Sequence, residues 1–343
     1  MGLSQHKPKI SAVIIILIII ISILTLGYLW PSTKWKDENT IVLYGFSVKG
    51  EVFDQKIIPA FHDYWEGQTG KDLKFQTTYA GSGKITQQVL TGALAEVMIL
   101  STEWDALQLK KEGLVKTDWN SYPFNGTVSK SPWVIMTRAG NPKGITDFSD
   151  LTSDDIELIH ADPLTSGGAC WSIFAIYGSV LIRTELTEGK FNETAAKKLL
   201  KDIIENVISW QSSARKALSQ FSLGYGDALI TYENEALLSK AQGKDLEIIY
   251  PKCTIYSEHK VVKVDKNIFS GEEEVIDEFI DFLYTPEVQR HLADYHFRSV
   301  DEEINKDYNE FPDILTPFTV EYLGGWEEAH KEIIEGIFQE IKG

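Results

Sequence analysis

Short apolar segments of strand length alternate with amphipathic segments of helix length along this chain from residue 41 onward. Residues 41–44, 73–77 and 97–100 are the first three predicted strands. The intervening segments 57–69 and 85–94 repeat their apolar residues with the period of a helix. Because a strand that runs parallel to its predecessor needs a crossover of this kind, the alternation predicts an α/β fold with parallel strands.

The same alternation continues through the second half of the chain. The remaining predicted elements are strands at 131–137, 156–160 and 228–231, a helix that ends near 182, and helices at 273–295 and 326–341. The chain has 343 residues, which exceeds the roughly 100–200 residues of one typical domain, so two lobes are expected.

The N-terminal segment predicts the compartment. Residues 12–30 are almost wholly apolar, which is about the 20 residues that a helix needs to cross a bilayer. Lys7 and Lys9 precede this run, so the positive-inside rule keeps residues 1–11 in the cytoplasm and exports the remainder. The run ends without the small residues of a signal-peptidase site, which favours an uncleaved anchor over a cleaved signal. Residues 31–40 are polar and form a predicted linker.

The charge and the cysteine content exclude several classes of partner. The formal net charge is −17, so a nucleic-acid partner is not expected. The same charge repels small anions at long range, so an anion site must attract its ligand through local groups. Cys170 and Cys253 are the only cysteines and belong to no Cys/His cluster, so neither a metal nor a cofactor is predicted. Two separate thiols are favoured over a disulfide.

Three predicted turns share small residues at the start of a helix. They contain Gly81-Ser82-Gly83, Ser166-Gly167-Gly168 and Ser212-Ser213-Ala214-Arg215. The first amides of a helix have no partner within the helix and lie at the positive end of its dipole. Glycine also allows close backbone approach. Each turn could simply cap its helix, but together the three predict a site for a small anion.

Several blocks of sequence, in order and at matching spacing, carry a resemblance to a known family. The blocks are Gly81-Ser82-Gly83-Lys84, Arg138-Ala139-Gly140-Asn141-Pro142-Lys143, Ser166-Gly167-Gly168-Ala169, Gly226-Asp227-Ala228-Leu229-Ile230, Glu233-Asn234-Glu235-Ala236-Leu237-Leu238 and Gly324-Gly325-Trp326. At these residues the chain resembles the bacterial sulfate/thiosulfate-binding proteins, which are the periplasmic receptors of sulfate ABC importers. The resemblance covers nearly all of residues 41–340.

This resemblance implies a type II periplasmic-binding-protein-like fold, with two α/β lobes, a two-strand hinge and the anion in the cleft. Residues 41–128 and 256–343 would form lobe I, and residues 129–255 would form lobe II. The implied partners are sulfate or a related oxyanion and the ABC permease and ATPase subunits. The implied location is the extracytoplasmic face of the cell membrane.

The resemblance also implies which residues hold the anion, mainly through main-chain N–H groups. The implied ligand-binding residues are Ser47, Val48, Ser82, Ser166, Gly167, Gly168, Ala214 and Tyr232, and the implied supporting residues are Gly81, Gly83 and Arg215. Tyr232 stands where the family has an indole donor, and a phenol can accept as well as donate a hydrogen bond. Ser47 or Val48 replaces an aspartate that binds through its backbone, and Cys170 replaces an arginine.

Two other readings of the chain remain open. Another oxyanion, such as phosphate, molybdate or tungstate, would suit the same fold, as would a sensor ectodomain, although only residues 1–11 precede the apolar run. Enzymatic activity is not predicted. His62, His160 and His259 belong to no nucleophile elbow or HExxH motif, and Gly83-Lys84 lacks the other residues of a P-loop.

Overall fold

The computed structural model describes residue 36 and residues 39–342. The predicted cytoplasmic N-terminus, the anchor and most of the linker lie outside the described residues. Within the described part of the chain, no helix is long and apolar enough to cross a membrane. The residues from Ile41 onward form one compact unit, and the fold below is that of this unit.

The strands of the described chain are joined through hydrogen bonds in one sheet network. Their order is β2-β1-β3-β9-β4-β7-β5-β6, with β10 beside β9 and β8 beside β4. The strands are β1 (Thr40–Phe46), β2 (Lys74–Ala80), β3 (Val97–Leu100), β4 (Thr127–Arg138), β5 (Leu158–Ala161), β6 (Val207–Gln211), β7 (Ala228–Tyr232), β8 (Leu246–Ile249), β9 (Cys253–Lys263) and β10 (Thr316–Phe318).

Helices connect and cover these strands. They are α1 (Ile58–Thr69), α2 (Ser82–Leu90), α3 (Glu103–Lys111), α4 (Gly167–Glu188), α5 (Glu193–Glu205), α6 (Ala214–Ser222), α7 (Glu233–Ala241), α8 (Glu273–Phe282), α9 (Pro286–Asp294), α10 (Glu302–Asn305) and α11 (Trp326–Ala329). A 3₁₀ turn (Ser47–Lys49) follows β1, and a π-helical segment (His330–Phe338) extends α11. The buried face of α4 includes Trp171, Phe174 and Ile176, which makes this helix a large part of the core.

The pairing of β4 divides the sheet into two lobes. The first half of β4 pairs antiparallel with β9, from Thr127 opposite Lys260 to Pro132 opposite Tyr256. Its second half pairs with β7, beginning with Trp133 opposite Tyr232. We call the part built on β1–β3 and β9 the first lobe, and the part built on β5–β8 the second lobe. The two-lobed α/β fold is thus confirmed, while the predicted lobe boundaries stay a prediction.

The prediction of parallel strands is correct for part of the sheet only. Strand β1 is parallel to β3, and β5 is parallel to β6 and β7. In contrast, β9 is antiparallel to β3 and β4. The reason is that the long strands β4 and β9 pass between the lobes and do not belong to strand–helix–strand units.

The prediction of one helix over residues 273–295 is wrong. Two helices, α8 and α9, occupy this segment because Pro286 begins α9. Proline is tolerated at the first position of a helix but removes a hydrogen bond from a helix interior. The side chain of Thr285 caps α9 by accepting from the amide of Val288.

Candidate functional site

The three glycine- and serine-containing turns meet in the structure. Gly81 precedes α2 in the first lobe and lies against two backbone carbonyl oxygens of the second lobe. A Cβ atom at this position would lie 2.3 Å from the oxygen of Thr165 and 2.7 Å from the oxygen of Ser212. Only glycine allows this approach without a backbone shift. The N-termini of α2, α4 and α6 therefore converge on one region.

The start of α4 is packed against both lobes. A Cβ atom on Gly167 would lie 2.7 Å from Cγ2 of Thr102 and 3.0 Å from Oγ of Ser101. A Cβ atom on Gly168 would lie 2.8 Å from the hydroxyl oxygen of Tyr232. Ser166 is the extended N-cap residue of α4, and its side chain does not cap the helix. The backbone of this turn thus lies directly beside the hydroxyl groups that could share a ligand with it.

The hydroxyl group of Ser82 is already engaged within the protein. Its Oγ donates to Oδ2 of Asp105 at 2.5 Å and accepts from the amide of Ser101 at 3.0 Å. Asp105 is buried and also accepts from the hydroxyl of Thr102 at 2.8 Å, and burial raises the pKa of its carboxyl group. Because a hydroxyl has one proton, Ser82 can offer an anion only its amide in this geometry.

Tyr232 and Ser101 form a buried pair of hydroxyl groups. Their oxygens are 2.6 Å apart, and either can donate to the other. Tyr232 is 1% exposed, and burial raises its pKa, so the phenol is protonated at neutral pH. One proton of the pair is used between the two oxygens, which leaves one proton to donate outward. The pair can therefore donate one hydrogen bond to an anion whichever hydroxyl is the inner donor.

The turn before α6 is fixed by a cap and by ion pairs. The side chain of Ser213 accepts from the amide of Lys216 at 3.3 Å, so it caps the helix that begins at Ala214. Arg215 contacts carboxylates of both lobes, Glu51 at 3.3 Å and Glu235 at 2.7 Å. Burial raises the pKa of Glu235 to about 6. The ion pair of Arg215 with Glu51 therefore joins α6 to the first lobe. Ala214 is the first residue of α6, so its amide lies at the helix N-terminus.

Ser47 and Val48 lie in the 3₁₀ turn directly after β1. Phe46, the last residue of that strand, lies with its ring centroid 6.0 Å from that of Tyr232. Val48 is buried, so only main-chain groups of this turn are suited to a polar ligand. Gly83 has more space than Gly81, since a Cβ atom there would lie 3.7 Å from the carbonyl group of Thr165, its nearest neighbour.

Several residues of this region were missed by the sequence reasoning. Ser101 and Thr102 follow β3 and lead into α3, which is the same strand-to-helix arrangement as the predicted turns. They contain no glycine, and a serine–threonine pair before a helix is equally typical of an ordinary N-cap. The indole of Trp171 donates to the carbonyl of Ser101 at 2.6 Å, and the ring of Trp133 lies 4.4 Å from that of Tyr232. Side chains of this kind could be assigned only from tertiary contacts.

Two other side chains near the turns have internal roles. Cys170 is buried with its thiol 3.7 Å from the carbonyl of Pro163, and both cysteines are free. Asp162, the other candidate for a hydrogen-bond acceptor near the ligand, accepts from the amide of Leu164 at 3.0 Å and from Lys342 at 2.9 Å. Each carboxylate oxygen of Asp162 therefore already accepts one hydrogen bond, and the groups that the helix N-termini and the hydroxyl pair offer in the cleft are donors.

Comparisons with known proteins show which proteins this chain resembles. A model of the bacterial extracellular solute-binding protein family matches residues 54–298. The sulfate-binding protein of Synechococcus elongatus is 35% identical over 299 residues, which are 85% of this chain and 83% of that protein. The thiosulfate-binding protein of Escherichia coli is 30% identical over 294 residues, or 83% of this chain and 85% of that protein. The solved structure of the sulfate-binding protein SubI from Mycobacterium tuberculosis has a TM-score of 0.77 at 30% identity, covering 86% of this chain and 99% of that one.

Proposed function

The chain belongs to the bacterial extracellular solute-binding proteins, in the group that contains the sulfate-binding proteins, and on this premise we propose that it captures sulfate and delivers it to an ABC importer. The anion would lie between the lobes, held by amides at Ser47 or Val48, Ser82, Gly167, Gly168 and Ala214 and by the hydroxyl pair of Ser101 and Tyr232. The amide of Ser166 donates to the carbonyl of Asp162 at 2.9 Å, so Ser166 would contribute through its hydroxyl group. Nothing is chemically transformed in this function, so the chain is not an enzyme.

The observation that carries this proposal is the convergence of three helix N-termini beside one outward-donating hydroxyl pair. Gly81 lies against Thr165 and Ser212 across the cleft, and the pair of Ser101 and Tyr232 leaves one proton free. Sulfate has no proton at neutral pH, so donors alone can satisfy each of its oxygens. Phosphate keeps at least one proton that needs an acceptor, and leaving it unpaired costs roughly 1–3 kcal/mol. A site whose ligand-facing groups are donors therefore favours sulfate, and thiosulfate is the related ligand that such a site could also accept.

Transport requires that the permease distinguish the loaded receptor from the empty one. A ligand that contacts both lobes favours the closed state because only that state offers both sets of contacts. The permease and ATPase subunits of an ABC importer are therefore the proposed partners. We also propose the predicted lobe boundaries, with residues 41–128 and 256–343 in lobe I and 129–255 in lobe II, since β4 and β9 join the lobes near these limits.

We propose the outer face of the cell membrane as the location, with residues 12–30 as an uncleaved anchor or, in the alternative, a cleaved signal. The support is the length of the apolar run and the lysines that precede it. Removal of residues 1–35 should yield a folded protein that binds the same oxyanion. If that fragment aggregates or fails to bind while the full chain in detergent binds, the prediction that residues 1–35 serve only to attach the protein to the membrane is wrong.

Calorimetric titration with sulfate, thiosulfate, molybdate, tungstate and phosphate tests the proposed ligand. We expect saturable binding of sulfate with one site, with phosphate bound at least about fivefold more weakly. A chain that binds molybdate or phosphate and not sulfate would keep the fold assignment and overturn the ligand. Binding of no oxyanion at all would overturn the function.

A further inference from the structure

A lysine of the first lobe is completely buried without a carboxylate partner. Lys49 ends the 3₁₀ turn that begins with Ser47 and Val48, and its side chain is 0% exposed. Among the described residues, no ion pair joins its ammonium nitrogen to an acidic side chain, and burial alone lowers its pKa well below the ordinary value. An isolated buried charge is strongly unfavourable, so such groups are neutral or have a partner.

The nearest groups to Lys49 are aromatic rings and one hydroxyl. Its Nζ lies 3.5 Å from the ring centroid of Phe297 and 5.7 Å from that of Phe46. It donates a hydrogen bond to the hydroxyl of Ser129 on β4. Phe46 in turn packs near Tyr232, whose hydroxyl faces the start of α4. The rings of Phe46 and Tyr232 therefore lie between the amino group and the proposed anion.

The hydrogen bonds beyond Ser129 determine which group in this cluster can change its charge. Ser257 donates to the carbonyl of Ser131 at 2.6 Å, so its oxygen must accept from Nε2 of His259, at 3.3 Å. Nδ1 of His259 then accepts from Ser129 at 2.8 Å. His259 is thus neutral with its proton on Nε2, and burial and the nearby Lys49 lower the pKa of this histidine. The serine hydroxyls do not titrate, and an amine is intrinsically a stronger base than an imidazole, so Lys49 is the member that takes a proton first.

Other ionisable side chains around this cluster are neutral or paired. Tyr232, whose ring lies 5.7 Å from that of His259, is a protonated phenol at neutral pH. Arg298, which follows Phe297, is paired with Glu233 at 2.7 Å. On the opposite side of the turn, Glu51 is paired with Arg215. A divalent anion in the cleft would therefore be the main new charge that Lys49 meets, in surroundings that screen it poorly.

We propose that Lys49 is the counter-charge of the bound oxyanion and that its neutral amine takes up one proton from solvent when the anion binds. The proton returns to solvent when the anion leaves, and only this N–H bond forms and breaks. This inference rests on the proposed function. A chain of net charge −17 would in this way place a positive charge behind the aromatic side chains of the anion site, where that charge is not exposed to competing ions.

Titration calorimetry of the full chain with sulfate, repeated in buffers of different ionisation enthalpy, counts the protons taken up. Measurements from about pH 5 to about pH 10 cover the range in which a lysine pKa lowered by burial would fall. We expect uptake that approaches one proton per sulfate within this range, and affinity that declines by up to tenfold per pH unit above the pKa of the free protein. Zero uptake at every pH in a chain that binds sulfate would overturn the role of Lys49 and leave the proposed function intact.

Two substitutions identify the titrating group. Lys49→Met keeps an unbranched side chain in the cavity and should abolish proton uptake while weakening sulfate at neutral pH by about tenfold or more. Lys260→Met is the matched control because Lys260 is also buried, on β9, but lies 3.6 Å from Glu258 and 3.9 Å from Glu103. It should leave proton uptake unchanged. If Lys49→Met retains full uptake, another group titrates and the inference fails; if that variant does not fold, the wild-type proton count and its pH profile decide.

Discussion

Two turns on opposite sides of the cleft supply different things to the proposed site. The turn at Gly167 and Gly168 begins a buried helix of 22 residues and offers bare amides, with no space for a side chain at either glycine. The turn Ser47–Lys49 is a single 3₁₀ turn that ends in a completely buried amine. In this account, the second lobe fixes the geometry of the anion and the first lobe provides the charge.

This division explains why neither turn would suffice alone. Helix N-termini contribute typically 0.3–1 kcal/mol each to an exposed anion, and the acidic surface of this chain opposes the approach of anions. The buried amine of Lys49 can offset this repulsion only if the helix N-termini hold the anion at a fixed distance from it. Breaking the geometric side should therefore have larger effects than adjusting single hydrogen bonds.

The largest expected effect is that of Gly168→Asp. A Cβ atom at Gly168 would lie 2.8 Å from the hydroxyl of Tyr232, and the added carboxylate would stand beside the anion where repulsion is little screened. We expect sulfate binding to be lost in calorimetry, with a melting transition retained. Gly168→Ala separates the steric part from the charge and should bind more tightly than the aspartate variant. Sulfate affinity within tenfold of wild type for Gly168→Asp would move the site elsewhere.

The second lobe should lose stability as the pH falls, because a buried histidine lies beneath the helix α4 that begins at this turn. His160 is buried at the end of β5, with Nδ1 2.6 Å from the carbonyl of Ala161 and Nε2 2.8 Å from Oγ of Ser172 on α4. Burial lowers the pKa of His160 from the ordinary histidine value of 6.5 to about 4. Since the unfolded chain binds the proton first, the stability contributed by neutral His160 is complete above pH 6.5 and declines as the pH falls to about 4, by about 3 kcal/mol.

Urea unfolding at several pH values in this window measures that decline. His160→Gln cannot titrate, so the slope of the unfolding free energy against pH should fall by the amount that corresponds to about one bound proton. An unchanged slope in this variant would show that His160 is charged in the folded protein or that it is not enclosed as described.

The contact across the cleft can be tested with two neighbouring glycines. Gly81→Ala would bring a methyl group to 2.3 Å and 2.7 Å from two backbone carbonyls of the second lobe, so closure should be opposed. Overpacking costs about 1–3 kcal/mol, which corresponds to roughly fivefold to 150-fold in sulfate affinity. Gly83→Ala is the control because its Cβ would lie 3.7 Å from Thr165. Equal affinities for the two variants would mean that the lobes do not close through Gly81.

The sequence predicts the turns of this site better than the side chains around them. Gly81, Gly167 and Gly168 stand out because glycine beside serine at a helix start is a local signal. The partners of Ser82 and Tyr232 do not stand out, because Asp105 and Ser101 reach them from β3 and α3 through the folded chain. Lys49 could not be identified as buried, since a lysine after a strand is usually solvated and only the packing of Phe297 and Ser129 shows otherwise.

The strand pattern has a similar limit. Strand β3 was predicted with its observed bounds because it is short, apolar and buried along its length. Strand β9 was not found from its pattern, since Ser257 and His259 interrupt its apolar residues. Those polar residues are buried by the antiparallel pairing with β4, which no local periodicity reveals.

The central claim is that the cleft offers donors and selects sulfate, and titration of wild type, Tyr232→Phe and Tyr232→Trp with sulfate and phosphate tests it most directly. In this account the hydroxyl pair of Tyr232 and Ser101 donates outward. Tyr232→Phe should weaken sulfate by about 1 kcal/mol or more, Tyr232→Trp should keep sulfate binding through its indole donor, and phosphate should bind poorly to all three. Equal affinity of wild type for phosphate and sulfate, with Tyr232→Trp losing phosphate alone, would show that Tyr232 accepts a hydrogen bond from the ligand and would contradict the assignment of sulfate.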